Sequence, residues 1–304
     1  MLKLSTAIRK FVTKSRWNKR LGQGAPTKEY FWYFEEVQRS PGRFRTSEMD
    51  TNLRGAVLSR RQLLQAGCGG LGLALLGGSP AQGYTPIRVD KPAKISGIIR
   101  YAGQTSHPQK LKLSGDCAYC RKFDLRAEEL LASPQGVLRN VVVFLEGIRQ
   151  GKEIPSAPLA IAEKHCTFVP HVLSITVGSK LLLHNQDPVL NTFHAVDLAS
   201  GRTLFNIGLP NQDQKVVRRI RQEGLIKMLC DVHPWEVAYL IALSHPYHTV
   251  SDHNGAWSLD QVPPGVYTLA YWHEKLGLRR QQRVEVRPGA QLKLVHTYPG
   301  LSKS

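Results

Sequence analysis

Residues 228–236 read M-L-C-D-V-H-P-W-E. Cys230, His233 and Glu236 follow one another at steps of three, placing a thiol, an imidazole and a carboxylate on one short segment. A thiolate and an imidazole on a loop between two strands can reach a single metal ion if another loop brings further donors. The same two residues serve equally as a buried thiol and a hydrogen-bonded turn histidine. A second chemical spacing is Cys117-Ala-Tyr-Cys120, the C-x-x-C of redox motifs. No thioredoxin-like βαβ pattern surrounds it, and Arg121 stands where covalent haem attachment needs a histidine.

Other catalytic arrangements are missing. The chain carries no G-x-S-x-G elbow, phosphate loop, strand-borne G-x-G-x-x-G or H-E-x-x-H. Asp116, Asp124, Asp187 and Asp197 form no evident carboxylate pair of the glycosidase kind. The expectation is a protein that is not an enzyme.

The elements that must position Cys230 and His233 read as strands. Segments 95–101, 137–144, 172–177, 180–183, 214–220, 225–229 and 237–242 are short, aliphatic or β-branched, and bounded by Gly, Pro, Asn or Asp. That spacing predicts an all-β sandwich. One helical turn is expected at 125–131, and 95–101 with the excursion to Gly136 is expected to pack on the same core. A second unit begins near His245, where an Asn254-Gly255 turn, a Pro263-Pro264-Gly265 turn and an alternating strand follow one another.

The run D-H-N-G-A-W-S-L-D-Q-V-P-P-G-V-Y-T-L within 249–277 resembles the carboxypeptidase regulatory-like fold, a small transthyretin-like sandwich, over residues 245–298. That resemblance implies a structural or interaction module without catalytic residues, so His248, His253 and His273 are read as surface or turn residues. The run F-V-P-H-V-L-S-I-T-V-G-S-K-L-L-L-H-N-Q-D-P-V-L-N-T-F-H-A-V-D, then F-N-I-G-L-P, then C-D-V-H-P-W-E-V-A-Y-L resembles a cupredoxin. More narrowly, residues 137–298 are similar to periplasmic plastocyanin-like proteins in which such a domain precedes a carboxypeptidase regulatory-like one. The expected organisation is an upstream extension and signal over 1–83, a cupredoxin-like Greek-key sandwich over 84–244, and the regulatory-like sandwich over 245–304.

The resemblance implies copper held by Cys230 as thiolate and His233 as imidazole, an N/S set suited to one-electron transfer. Two positions depart from the pattern. The upstream imidazole is replaced by Asn191, which leaves His194 as its substitute and His171 as a further candidate. Residues three apart on an extended strand face opposite sides, so His194 reaches the site only if the loop bends. Glu236 replaces the weak axial Met, and a carboxylate favours the more oxidised ion. The expected ligands are therefore His194, Cys230, His233 and Glu236, with His171 and Asn191 as possible ones; His184, His165 and His107 are not. Relatives keep one cysteine near 117–120 and one before the F-V-P-H-V run, which implies a disulfide from Cys117 or Cys120 to Cys166. Closing such a loop stabilises by about 3 to 4 kcal/mol in the chain-entropy model. Three roles fit: a one-electron carrier, a metal-free docking or scaffold module, and a copper storage or delivery protein. Each has an exported redox or scaffold protein as partner.

Segment 59–83 sets the compartment. Arg60 and Arg61 precede a short Gly/Ala/Leu stretch, and Ala81-Gln82-Gly83 offers small residues for cleavage, the arrangement of a twin-arginine export signal. The expectation is a periplasmic protein. Residues 1–48 are long and basic for a signal, and Met49 opens a conventional one. Of 41 Lys and Arg, 14 precede Tyr84, as do 5 of 23 acidic residues, which leaves +9 of the +18 net charge on the remainder. No Lys/Arg run interleaved with aromatics follows, so nucleic acid is not an expected partner. No apolar stretch is long enough for a membrane span.

Overall fold

The computed structural model describes residues 83–301 apart from Ser106 and Asp116, and the side chain of Gln282 is also left aside. The export signal at Arg60 and Arg61 and the upstream extension lie outside the described residues. Within them the chain forms strands β1 to β18 and one 3-10 turn at Cys120–Lys122. The all-β expectation holds.

Four sheets stack face to face. The first joins β15 (Ala256–Val262), β2 (Ala93–Tyr101) and β18 (Gln291–Tyr298). The second runs β14 (His248–Val250), β3 (Val142–Glu146), β16 (Gly265–His273), β17 (Gly277–Val286). The third runs β10 (Thr203–Leu209), β9 (Asn191–Asp197), β12 (Gly224–Leu229), β13 (Val237–Leu243), β7 (Val172–Thr176). The fourth runs β11 (Lys215–Arg219), β8 (Lys180–Asn185), β5 (Leu159–Glu163), β6 (Phe168–Val169). The short strands β1 (Thr85–Pro86) and β4 (Gln150–Gly151) pair on their own.

Each gap between sheets is filled by its own apolar cluster. Ile95, Ile99, Leu145, Trp257, Leu269 and Tyr271 lie between the first and second sheets. Ile161, Ile175, Leu183, Phe193, Ile226 and Leu240 lie between the third and fourth. A third cluster of Val142, Phe144, Leu225, Ile241, Trp272 and Leu278 joins the two sandwiches back to back. Such faces are the main stabilising contacts in a protein with so few local elements.

The pairing corrects two expectations. Strand 95–101 does not pack on the core of the third and fourth sheets but on that of the other sandwich: β2 pairs with β15 and β18, and β3 pairs with β14 and β16. The sandwich of the third and fourth sheets is thus inserted between β3 and β14 of the other, and a boundary at 244/245 does not separate the sheets. The segment 125–131 forms no helix; Arg126 bridges to Lys110 and Leu125 is buried beside Cys120 and Cys166. Burial of Leu125 in that cluster overrides the helical preference of a sequence this short. His273 is buried rather than superficial, its Nδ1 accepting the Lys275 N–H at 3.2 Å. The Asn254-Gly255 turn falls where expected. Gly255 has φ +65, and a Cβ there would stand 2.6 Å from Val137 Cγ1 and 2.7 Å from the Ile99 carbonyl oxygen. Only glycine fits.

Candidate metal centre

Cys230 follows the last residue of β12, and the loop to β13 turns back on itself through hydrogen bonds from Glu236 N–H to His233 O at 2.9 Å and from Cys230 N–H to Glu236 O at 3.4 Å. The turn folds all three donor side chains inward, where Cys230, His233 and Glu236 are each at most 3% exposed. Their ligand atoms lie within 4.8 Å of one another. His233 Nδ1 is 3.7 Å from Cys230 Sγ and 3.1 Å from Glu236 Oε1, the latter outside hydrogen-bond geometry. Donors bonded tetrahedrally to one ion at 2.0–2.3 Å stand about 3.6 Å apart. The three residues fit a single ion.

A second buried carboxyl, beside Glu236, comes from a strand that the sequence did not single out. Glu163 ends β5, is fully buried, and has neither oxygen hydrogen-bonded; both oxygens of Glu236 are likewise without hydrogen-bond partners among the described residues. Burial raises the Glu163 carboxyl well above its usual range, and Glu236, then Cys230, push it further. Two buried carboxyl groups with unmet acceptors beside a thiol are costly on their own, a cost that a bound cation would offset. A signal for Glu163 does exist in the sequence. Leu159, Ile161 and Glu163 share one strand face, so the charge falls on an apolar stripe.

His233 is held against three neighbours. Burial lowers its proton affinity, but the neighbouring Cys230 and Glu236 outweigh this and raise it to about 10. Trp235 tilts over the ring at 5.1 Å and donates its indole N–H to the Cys166 carbonyl at 3.3 Å.

The loop of Asn185 and Asp187 frames the far side. Asn185 Nδ2 donates to the carbonyls of Val189 and Leu209, both at 2.8 Å, while its Oδ1 accepts from Asp187 N–H and Asn191 Nδ2. Asp187 accepts the N–H groups of His165 and Cys166 at 2.7 and 2.8 Å and the Tyr119 hydroxyl at 3.0 Å. That network fixes two residues held at positive φ, His165 and Cys166. Cys166 bonds Cys120 and leaves Cys117 free, so of the two pairings left open the second forms.

Not every expected ligand arrives. Asn191 lies at the pocket, its Oδ1 4.0 Å from Cys230 Sγ, and Thr192 N–H donates to that sulfur at 3.4 Å. His194 does not. β9 stays regular, burying 191, 193, 195 and 197, so His194 points outward and bonds Asp231 and Thr203, both at 2.8 Å. Without a bend, alternation sends residues three apart to opposite faces. His171 is also elsewhere, paired with Glu274 across the interface between the sandwiches. Burial opposes its charge, but Glu274 outweighs that and raises its proton affinity.

No protein-family model matches the chain, and no curated protein matches it in sequence. Among solved structures, a purple cupredoxin from Nitrosopumilus maritimus is 25% identical over 28% of this chain and 99% of its own, with a TM-score of 0.25. A Cu-containing nitrite reductase from Thermus scotoductus SA-01 is 19% identical over 31% of this chain and 24% of its own, with a TM-score of 0.25. Amicyanin from Paracoccus versutus is 13% identical over 30% of this chain and 86% of its own, with a TM-score of 0.26. The third and fourth sheets face each other with the Cys-x-x-His loop between the neighbouring strands β12 and β13. What the pocket can hold is read from its own donors.

Proposed function

We propose that this protein is an exported cupredoxin-type metal protein that binds one copper ion through Cys230, His233 and Glu236 and carries single electrons. The observation that carries the reading is the buried loop in which a thiol, an imidazole and a carboxyl group without a hydrogen bond converge. Copper would supply a change of oxidation state by one electron. The chain supplies the soft thiolate, a rigid two-strand anchor for the loop, and exclusion of water by Trp235 and the 117–120 turn. Glu236, as a hard oxygen donor, favours the more oxidised ion and lowers the potential relative to a thioether-ligated site. The Cys120–Cys166 disulfide supports an oxidising compartment such as the periplasm. The outer sandwich acts as the docking module for an exported redox or scaffold partner; nucleic acid and catalysis have no part in this reading. Loading the purified protein with Cu(II) tests it: a thiolate-to-copper absorption band that disappears in Cys230→Ser supports the carrier, and absence of copper uptake overturns it.

A metal-free docking module is the second reading. It is favoured by Asn191, whose amide is engaged by Asn185 at 2.9 Å where the resemblance implies an imidazole. Copper storage or delivery shares the ligands of the first reading, and transfer of the ion to an acceptor without a change of oxidation state distinguishes it.

A further inference from the structure

Three cysteines gather beside the pocket without belonging to its donor set. Cys120 and Cys166 are bonded and fully buried, while Cys117 is a partly exposed free thiol. Its sulfur lies 2.7 Å from Cys120 Sγ, inside the distance of a near-attack arrangement. The backbone N–H of Cys120 points at the same sulfur at 3.4 Å. On the other side, Cys120, Cys166 and Glu236 bring their ligand atoms within 4.8 Å of one another. The disulfide therefore has an attacking thiol at one end and the metal pocket at the other.

The geometry points to a thiol–disulfide exchange that moves the bond from Cys120–Cys166 to Cys117–Cys120 and releases the Cys166 thiol into the pocket. The Cys117 thiolate attacks Cys120 Sγ, a Cys117–Cys120 bond forms, and the Cys120–Cys166 bond breaks with its electron pair on Cys166. The proton lost by Cys117 is returned through solvent to Cys166. One disulfide and one thiol are present before and after, so no oxidant or reductant is consumed. The new bond closes the short C-x-x-C loop in place of one with a sequence separation of 46. In the exchanged form Cys166 lies beside Glu236 as a second sulfur donor. That last consequence rests on the metal reading above; the exchange itself rests on the cysteines alone.

The test is disulfide mapping of the full chain, kept in a trace of small thiol, acid-quenched and alkylated with N-ethylmaleimide. The wild type is expected to contain both connectivities, with Cys166 alkylated wherever Cys117 is bonded. Cys117→Ser, a near-isosteric change at a partly exposed site, is expected to contain Cys120–Cys166 alone. A wild type showing only Cys120–Cys166, indistinguishable from Cys117→Ser, overturns the exchange whether or not metal binds. Adding Zn(II), which cannot oxidise thiols, is expected to raise the share of the Cys117–Cys120 form about twofold or more, because a ligand that prefers one form draws the equilibrium to it. If Zn(II) binds and the share stays constant, the link between the exchange and the pocket is overturned.

Discussion

Cys120 Sγ lies 3.7 Å from His233 Nε2, so the imidazole edge turned away from Cys230 meets a disulfide sulfur instead of solvent. His233 should consequently resist reagents that its chemistry would otherwise invite. In the metal-free protein, acylation by diethyl pyrocarbonate is expected to be at least about tenfold slower at His233 than at exposed His253, a gap of about 1.4 kcal/mol in barrier. Peptide mass mapping over time measures both rates, and equal rates contradict the burial.

The ligand assignment separates residues that lie close in sequence. Cys230→Ser is expected to abolish the thiolate-to-copper band, and His194→Ala to leave it and the copper affinity within about twofold, since His194 only braces Asp231 and Thr203 from outside. Asn191→His is expected to raise copper affinity by about tenfold or more by returning an imidazole to a position 4.0 Å from the sulfur. Competition titrations against a chelator measure all three. A large loss in His194→Ala would contradict the outward orientation of β9.

Much of this arrangement was legible, and the illegible parts have physical reasons. The Cys230, His233 and Glu236 set follows from spacing on one loop, because three residues in a tight turn cannot avoid one another. His194 was placed at the site by a demand for a second imidazole, against the strand alternation that in fact governs it. Glu163 was missed because attention to donor types favoured histidine and cysteine over a carboxylate at an inward strand position. The strands themselves were readable from local pattern, but the partners of β2 and β3 were not. Pairing across a hundred-residue separation leaves no mark on the periodicity of either strand.

The buried Glu163 gives a stability prediction for the metal-free protein. A carboxyl raised in the folded state contributes fully below its unfolded value near 4.5, and that contribution is lost as pH rises toward the folded value. At pH 7 Glu163→Gln is therefore expected to stabilise, with the gain vanishing at pH 4. Urea unfolding at both pH values checks it.

Three imidazoles largely withdrawn from water give the opposite slope. Burial lowers His245 to about 4 and His248 and His273 to about 3. Each prefers to be neutral when folded, so its contribution is complete above about pH 6.5 and is lost as pH falls toward the folded value. Every such group adds up to about 1.4 kcal/mol per pH unit within that window. His273→Gln is expected to flatten the decline in unfolding free energy between pH 6 and 4, and an unchanged slope would argue that His273 is already charged.

The interface between the sandwiches is held by a few large side chains. Trp272 is 6% exposed within the shared cluster, and Trp272→Ala is expected to cost about 3 to 5 kcal/mol. Calorimetry should show one transition in the wild type and a broadened or split one in the variant.

The nested connectivity also sets an order of events during synthesis. When β2 and β3 leave the ribosome, their partners β14, β15, β16 and β18 do not yet exist, whereas the inserted strands find theirs within their own stretch of chain. The inner sandwich can thus close first, and in doing so draws Leu145 and Tyr247 to within 3.1 Å, backbone to backbone. The loop of Cys230, His233 and Glu236 would then be shaped before the outer module is complete, making the inner sandwich the scaffold on which the rest of the molecule is built.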